Sequence, residues 1–294
     1  MNTLTFDTYI EKVNEVRKSC LRPLTNIFLS ASGAADLLEQ KSCEFYTHKD
    51  TFLAFVPYHD KYFDVLYCAA SSDKLANTLA TFIKSYDKRF SLRIAVIGLS
   101  QIVNDISTKL ENIHIPLAKK IARVSFTNTK KKFAKEFFSE FAVEKEFYAS
   151  KGIQVEYARE EDSKEILTLL LSEFDVYTEN IPELSTIIEN INDKHVVIAR
   201  FNNHIIAINY FNINNNIRHC IYEFVVPEFR KIQLMLYINN FVEINLINKI
   251  TITRTYGWRD MGNKRLIKAY KALGEKFEGV YIYNHLYDKR SLTN

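Results

Sequence analysis

Glycine is scarce in this sequence. Only 7 of the 294 residues are glycine, about a third of the usual share of about 7%. No glycine lies between Gly152 and Gly257, and neither GxGxxG nor GxxxxGK(S/T) occurs. Both fingerprints need glycines where backbone N–H groups approach a phosphate. The sequence therefore excludes the standard Rossmann and P-loop nucleotide sites.

Cysteine motifs and an apolar leader are also missing. The four cysteines form no CxxC pair and have no histidine at zinc-ligand spacing, so no metal site is predicted. Cysteines used in this way indicate buried thiols in a reducing compartment. Residues Met1–Val13 carry acidic side chains and no apolar stretch of the signal-peptide kind. We therefore expect a cytoplasmic protein.

Neither the charge nor the apolar segments point to nucleic acid or membrane. The net charge of +4 is too weak to argue nucleic-acid binding by itself. The most apolar helical segment, Leu234–Ile250, is interrupted by Asn239, Asn240, Glu243 and Asn245. It is too short and too polar to span a bilayer. We interpret it as a buried helix.

The second half of the sequence alternates between strand and helix patterns. The predicted strands are Val155–Arg159, His195–Arg200, Ile205–Phe211, Arg218–Val226, Thr251–Tyr256 and Val280–Tyr283. The predicted helices follow Asp162 up to Phe174, then cover Pro182–Asn192, Ile232–Asn248 and Lys264–Leu273. Asn202-Asn203 and Asn214–Asn216 have the composition of tight turns between strands.

The first half repeats much of this element order. Its predicted strands are Glu44–Thr47, Phe52–Val56, Phe63–Ala69, Leu92–Ile97 and Ile121–Phe126, with helices at Lys74–Tyr86 and Gln101–Leu110. The strand Phe63–Ala69 precedes Cys220–Val226 by 157 residues, and Leu92–Ile97 precedes Thr251–Tyr256 by 159. Such a constant offset indicates an internal duplication. Independent origin of two similar α+β domains is the alternative.

A phenylalanine-rich segment separates the two halves. Thr129–Ser150 places phenylalanines on one helical face, and Lys130–Lys132 opens it. The lysines favour a solvated helix end over a nucleic-acid patch. We expect an N-terminal domain at 1–128, a connecting helix at 129–150 and a C-terminal domain at 151–294.

Four segments of the second half share their order and spacing with a known superfamily. They are V-E-Y-A-R-E-E-D-S-K-E-I-L (Val155–Leu167), A-R-F-N-N-H-I-I-A-I (Ala199–Ile208), F-V-V-P-E-F-R (Phe224–Arg230) and the N-x-x-L-x-x-x-Y-x-x-x-G spacing of Asn263, Leu266, Tyr270 and Gly274. The second half thereby resembles the GNAT-fold N-acyltransferases, and the first half matches in element order only. The resemblance implies an α+β fold of two tandem GNAT-like domains, each a mixed, mostly antiparallel sheet flanked by helices.

The resemblance implies transfer of an acetyl group from acetyl-CoA, or another acyl-CoA, to an amine of a small molecule or peptide. Tyr270 stands where the superfamily keeps an acid for the leaving thiolate; a buried aromatic side chain is the structural alternative. Glu223 is a candidate base acting through water, or else an outward-facing strand carboxylate.

The same resemblance implies a set of residues that contact the cofactor. Backbone N–H groups at the end of the fourth strand would bind the developing oxyanion, and the next helix N-terminus would bind pyrophosphate. The implied contacts are Phe224, Val225, Val226, Arg230, Lys231, Gln233, Met235 and Asn263. For Asn263, a helix N-cap is an equal alternative.

The cofactor loop departs from the superfamily pattern (Q/R)-x-x-G-x-(G/A). Arg230 is present, but Gln233 and Met235 replace both glycines. Their side chains are expected to crowd the approach of backbone amides to the pyrophosphate. Three readings stay open: acyl-CoA binding with a shifted phosphate, an aminoacyl-tRNA donor as in Fem-type transferases and lysyl-phosphatidylglycerol synthases, or a non-catalytic interaction protein.

Overall fold

The computed structural model describes residues 2–27, 31–58, 61–86, 91–127, 135–247, 252–272 and 274–288. The chain forms two compact units. The first comprises Met1–Ala122, Asp260–Gly262 and Gly279–Asn294, and the second comprises Arg123–Arg259 and Asn263–Glu278. Most of the last described segment, Gly279–Asp288, thus belongs with the first unit. The expected domain ranges 1–128, 129–150 and 151–294 stay a prediction.

Strands and helices alternate through the first unit and the strand that leaves it. The strands are β1 (Asn2–Thr3), β2 (Leu24–Thr25), β3 (Glu44–His48), β4 (Thr51–Tyr58), β5 (Tyr62–Ala69), β6 (Ser91–Leu99) and β7 (Leu117–Thr127). The helices are α1 (Phe6–Ser19), α2 (Ala31–Gln40), α3 (Ser72–Ser85) and α4 (Ser100–Asn112). Five strands pair in the order β1-β3-β4-β5-β6, and only β5 and β6 are parallel.

The second unit repeats this succession. Its helices are α5 (Lys135–Ser150), α6 (Ser163–Glu173), α7 (Leu184–Asn192), α8 (Leu234–Ile247) and α9 (Lys264–Ala272). Its strands are β8 (Ile153–Tyr157), β9 (Val196–Phe201), β10 (His204–Asn214), β11 (Ile217–Val225) and β12 (Arg254–Asp260), and β13 (Lys276–Tyr287) is the last described element. The sheet order is β12-β11-β10-β9-β8, with β11 and β12 parallel and the other pairs antiparallel.

Apolar side chains from helices and strands form a separate core in each unit. In the first unit, α3 packs Leu75, Leu79 and Phe82 against Phe55 and Ile94 of the sheet. In the second unit, α8 contributes an apolar stripe that packs on β9 and β10, formed by Leu234, Tyr237, Ile238 and Val242. Within the described ranges, no helix is long and apolar enough to cross a membrane.

The predicted elements correspond to most of the observed ones, with two corrections. The strand predicted at Thr251–Tyr256 is observed as β12 at Arg254–Asp260. Helices α1 and α2 were not predicted, although Tyr9, Val13 and Val16 of α1 are buried at helical spacing. The start of the predicted helix at Thr129–Ser150, with Lys130–Lys132, lies outside the described residues. The asparagine pair Asn202–Asn203 adopts the predicted left-handed turn, with φ of 51° and 63°.

Candidate active site in the second unit

A cleft opens between two parallel strands of the second unit. Strand β11 pairs with β12 only from Ile217 to Cys220, and the last pair joins Cys220 to Gly257. Beyond this pair β11 continues to Val225 along β10, while no described strand pairs with its other edge. A Cβ atom on Gly257 would lie 3.2 Å from the Cys220 carbonyl oxygen. Glycine therefore permits the close contact at the point where the strands separate. We call the space between the separated parts of the two strands the β11–β12 cleft.

Backbone alternation decides which residues of β11 face this cleft. The Val226 N–H donates to the Ile206 carbonyl of the preceding strand segment at 2.9 Å. Backbone N–H groups alternate in direction along a strand. The Phe224 N–H therefore also points to β10, whereas the N–H groups of Glu223 and Val225 point to the cleft. Of the three residues predicted to bind an oxyanion through backbone N–H groups, Val225 alone has the required direction.

The loop after β11 keeps the backbone shape that glycine would give. A 3-10 turn covers Pro227–Ile232, and Gln233 follows with φ of 57° and ψ of 27° before α8 begins at Leu234. This is the left-handed region of backbone conformation, which residues other than glycine and asparagine adopt at a cost of about 1–2 kcal/mol. Gln233 thus holds a conformation that favours glycine, and the first N–H groups of α8 have no acceptor within the helix.

The side chains of this loop point in different directions. Arg230 is exposed, and its Nε donates to the Val225 carbonyl at 2.8 Å. Lys231 and Gln233 are exposed. Met235 instead packs against the core, with its sulfur 3.7 Å from Asn209 Nδ2. The helix therefore turns the Met235 side chain toward the core, and the expectation that it crowds a phosphate stays a prediction.

The left-handed Gln233 gives a first prediction. Gln233→Gly should raise the free energy of unfolding by about 1 kcal/mol, because glycine adopts this conformation without the steric penalty. Urea unfolding followed by fluorescence of Trp258, the one tryptophan of the chain, measures the change. Gln233→Ala is the control and should not stabilise. A Gln233→Gly variant no more stable than the alanine variant would contradict the strained loop.

The two predicted catalytic side chains meet at the cleft. The Tyr270 hydroxyl on α9 donates to Glu223 Oε2 on β11 at 3.2 Å. Burial raises the pKa of Tyr270 well above its ordinary value, and the Glu223 charge raises it further. The phenol is therefore protonated at neutral pH, as a proton donor must be. Residues 47 positions apart in sequence are brought within hydrogen-bond reach.

Glu223 has further partners, which keep it ionised. Arg259 Nη2 lies 3.0 Å from Glu223 Oε2, and Asn239 Nδ2 donates to Glu223 Oε1 at 2.9 Å. Burial opposes ionisation of Glu223, but Arg259 and the hydrogen bonds outweigh it, so its pKa lies below the ordinary value. A carboxylate with three donors and a lowered pKa has little affinity for another proton. This geometry suits holding Tyr270 better than accepting a proton from an amine.

Arg259 and Glu275 belong to the site but were not predicted. Arg259 also contacts Glu275 Oε1 at 3.1 Å, and burial raises the pKa of Glu275. The guanidinium carbon of Arg259 lies 4.2 Å from the centre of the Tyr270 ring. Alternation along β12 buries Thr255, Gly257 and Arg259 on one face. That pattern would have revealed a buried charge, which needs a partner, had the strand been predicted at its observed position.

A second arginine extends the polar network away from the cleft. Arg218 Nη2 donates to Asn209 Oδ1 at 2.9 Å and to Asn239 Oδ1 at 3.0 Å. Asn239 in turn donates to Glu223. Two arginines and two glutamates therefore face one another across β11, β12 and α8, and their formal charges balance.

Asn263 is the N-cap of α9 in the structure. Its Oδ1 accepts from the Leu266 N–H at 3.0 Å, and the residue is exposed. This bond fixes the start of the helix that carries Tyr270. The predicted cofactor contact of Asn263 stays a prediction.

Comparisons with known proteins identify the fold. No known family model and no curated protein matches the sequence. Among solved structures, a GCN5-related N-acetyltransferase from Sphaerobacter thermophilus aligns with a TM-score of 0.59 and 10% identity, covering 97% of this chain and 94% of that one. A GNAT-family acetyltransferase from Colwellia psychrerythraea aligns at 0.51 and 11%, covering 98% of each.

A third solved structure has two domains of this kind. The tandem GNAT protein from the clavulanic acid biosynthesis pathway aligns with a TM-score of 0.56 and 10% identity, covering 96% of this chain and 94% of that one. At identities near 10%, these structural alignments show shared architecture alone. The shared architecture agrees with the element order that the two units repeat. The chain has the tandem GNAT fold predicted from its sequence.

Proposed function

We propose that this protein is an N-acyltransferase whose second unit takes an acyl-CoA, most simply acetyl-CoA, in the β11–β12 cleft. The acceptor is an amine of a small molecule or peptide. The observation that carries the proposal is the hydrogen bond from Tyr270, a protonated and partly buried phenol, to Glu223 on the strand that borders the cleft. Bound there, acyl-CoA would supply an activated thioester carbonyl.

The backbone of β11 supplies the first chemical requirement. Acyl transfer places negative charge on a carbonyl oxygen, and a fixed N–H donor stabilises that charge. The Val225 N–H points to the cleft, while Arg230 holds the Val225 carbonyl at 2.8 Å. The arginine therefore fixes the peptide groups around the donor, and its Nη2 lies 3.9 Å from Glu173 Oε2 while the side chain stays 55% exposed. Cations and helix N-termini both favour phosphate.

Tyr270 supplies the second requirement. A departing thiolate needs a proton, and the raised pKa of Tyr270 keeps that proton on the phenol until it is needed. Glu223 orients the hydroxyl from one side, and Arg259 lies over the ring, where its charge offsets that of a transient phenolate. We therefore assign Tyr270 as the acid and Glu223 as the positioning carboxylate. The base role first expected of Glu223 is the weaker alternative.

The loop geometry supports acyl-CoA over the alternatives left open by the sequence. Gln233 keeps the left-handed turn despite its side-chain cost, and the Met235 side chain points to the core. The turn opens α8, where the Leu236 N–H donates to the Gln233 carbonyl at 2.9 Å, and a helix N-terminus of this kind favours phosphate. The proposal includes a cytoplasmic location, since the described cysteines are free thiols and free thiols persist in reducing compartments.

A thermal shift tests this proposal. Acetyl-CoA at 100 times its dissociation constant should stabilise the protein by about 2.7 kcal/mol, which raises the melting temperature of a domain this size by about 5–10 °C. Arg230→Glu should remove most of the shift, because it reverses the charge beside the phosphate loop. Lys164→Glu, an equal charge reversal on the exposed face of α6, is the matched control. No shift at millimolar acetyl-CoA would contradict the proposal.

A further inference from the structure

The first unit has a cleft built like that of the second. Strand β5 pairs in parallel with β6 only from Tyr62 to Asp64, and the last pair joins Asp64 to Arg93. Beyond this pair β5 continues to Ala69 along β4. We call the space at the free edge of β5 the β5–β6 cleft.

A segment of the same chain lies on that free edge. Strand β2 pairs antiparallel with β5, joining Leu24 to Ala69 and Thr25 to Cys68. The Thr25 hydroxyl donates to the Tyr67 carbonyl at 2.8 Å. Residues Leu24–Ile27, which we call the inner segment, thus occupy the part of β5 that β6 leaves unpaired.

Asn26 fastens the inner segment to both walls of the cleft. Its Nδ2 donates to the Val65 carbonyl of β5 at 2.9 Å and to the Ala95 carbonyl of β6 at 3.1 Å. Its Oδ1 accepts from the Tyr67 N–H at 2.7 Å. Asn26 is only 7% exposed. One buried carboxamide therefore spans the separated strands.

The Tyr67 bond shows what a cleft-facing N–H of this fold can hold. In the first unit, Tyr67 directs its N–H away from β4, and an amide carbonyl oxygen accepts from it. Val225 has the same orientation in the second unit. The corresponding connection of the second unit runs between α6 and α7. It contacts β11 through a side chain, because the Asn180 carbonyl accepts from the Tyr222 hydroxyl at 2.5 Å. No strand of this connection pairs with β11 in the described part of the chain.

We infer that the inner segment closes the first unit to acyl-CoA, with Asn26 as the residue that holds it, so that the chain binds one acyl-CoA in the second unit. The inference rests on the proposed function for the identity of the ligand. The occupied cleft itself rests on the pairing of β2 with β5.

An engineered disulfide that ties the inner segment to β5 tests this inference, and we call this reducible bridge the lock. Thr25 lies opposite the native Cys68, and the pair is not hydrogen-bonded, because Asn26 N–H bonds to Tyr67 instead. Cα atoms of such a pair lie about 4.5 Å apart, within the range of a disulfide. Thr25→Cys should therefore form a disulfide with Cys68 on mild oxidation, detected by mass spectrometry. Thr25→Cys with Cys68→Ser is the control that cannot form this bridge.

Calorimetric titration with acetyl-CoA then counts the sites. We expect one equivalent per chain, with the same affinity before and after the lock, and at least tenfold weaker binding in Arg230→Glu. Two equivalents in the native chain, or binding lost when the lock is closed, would overturn the inference.

The lock also separates failure of the inference from failure of the proposed function. If acetyl-CoA does not bind at all, the proposed function fails, and the bridge yield alone tests the inner segment. A quantitative bridge would then support an occupied β5–β6 cleft. A Thr25→Cys protein that forms no more bridge than its Cys68→Ser control would overturn it.

Discussion

Replacing Tyr270 with phenylalanine is expected to slow acyl transfer by about 10³-fold, the middle of the range for a general acid. The change removes only the hydroxyl, so the ring keeps its contacts with Arg259 and Phe126. The affinity for acetyl-CoA should stay the same, because the lost proton donor acts when the thiolate departs. The effect should therefore appear in kcat and not in KM for acetyl-CoA.

The measurement is release of free thiol from acetyl-CoA with a panel of amines, such as lysine peptides, polyamines and amino sugars. Tyr237→Phe is the matched control, since it removes another tyrosine hydroxyl of the second unit, from a buried ring stacked on Tyr148. It should leave turnover unchanged. Equal turnover of Tyr270→Phe and the native protein would remove Tyr270 from the mechanism.

Loss of Arg259 is expected to destabilise the second unit by about 3–5 kcal/mol, the cost of leaving a buried charge without its partner. Arg259→Met removes the cation shared by Glu223 and Glu275, whose side chains are 9% and 2% exposed. Arg254→Met is the control on the same strand. Its ion pair with Glu278 is more exposed, so its loss should cost less than about 1 kcal/mol.

The pH dependence of Arg259→Met has a definite sign. Without the arginine, burial should raise the pKa of both carboxyl groups in the folded state above their unfolded values. Protonation then favours the folded state, so the variant should recover stability as the pH falls from 8 to 5. Adding Glu223→Gln and Glu275→Gln should recover it at all pH values. Urea unfolding with Trp258 as the probe measures both, and an Arg259→Met variant as stable as Arg254→Met would refute the network.

Most of the fold could be predicted because its elements carry strong local patterns. Helical periodicity of apolar residues marked α6 and α9, and an apolar, β-branched run marked β9. Strand β12 was displaced because its true residues, Arg254–Asp260, include glycine, tryptophan and three charged residues. Their strand conformation depends on pairing with β11 and on ion pairs, which local propensity does not record.

Two side chains of the site could be predicted from the sequence, but the contacts between its side chains could not. Tyr270 and Glu223 were identified by position in a resembled pattern, but nothing in the sequence shows that one donates to the other. Arg259 is placed beside them only by the parallel register of β11 and β12. The inner segment was missed because β2 has two residues, too few for any periodicity.

Gln233 bears on the expectation that residues other than glycine crowd the phosphate loop. Glycine was expected there because a Cβ atom would obstruct the backbone amides, whereas the structure shows Gln233 in the left-handed conformation that favours glycine, at φ of 57°. The scarcity of glycine therefore excludes nucleotide-binding fingerprints but does not exclude a phosphate loop of this shape. The left-handed conformation of Gln233 costs local backbone strain, and the stability of the Gln233→Gly variant measures that cost.

The central claim is that acyl-CoA occupies the β11–β12 cleft, and amide hydrogen exchange with and without acetyl-CoA tests it most directly. We predict that acetyl-CoA slows exchange of the Val225 amide at least tenfold, because a ligand carbonyl accepts its hydrogen. The Tyr67 amide, already bonded to Asn26, should exchange at the same rate in both conditions. Slower exchange at Tyr67 with no change at Val225, or no change at either amide with acetyl-CoA at saturation, would contradict the account.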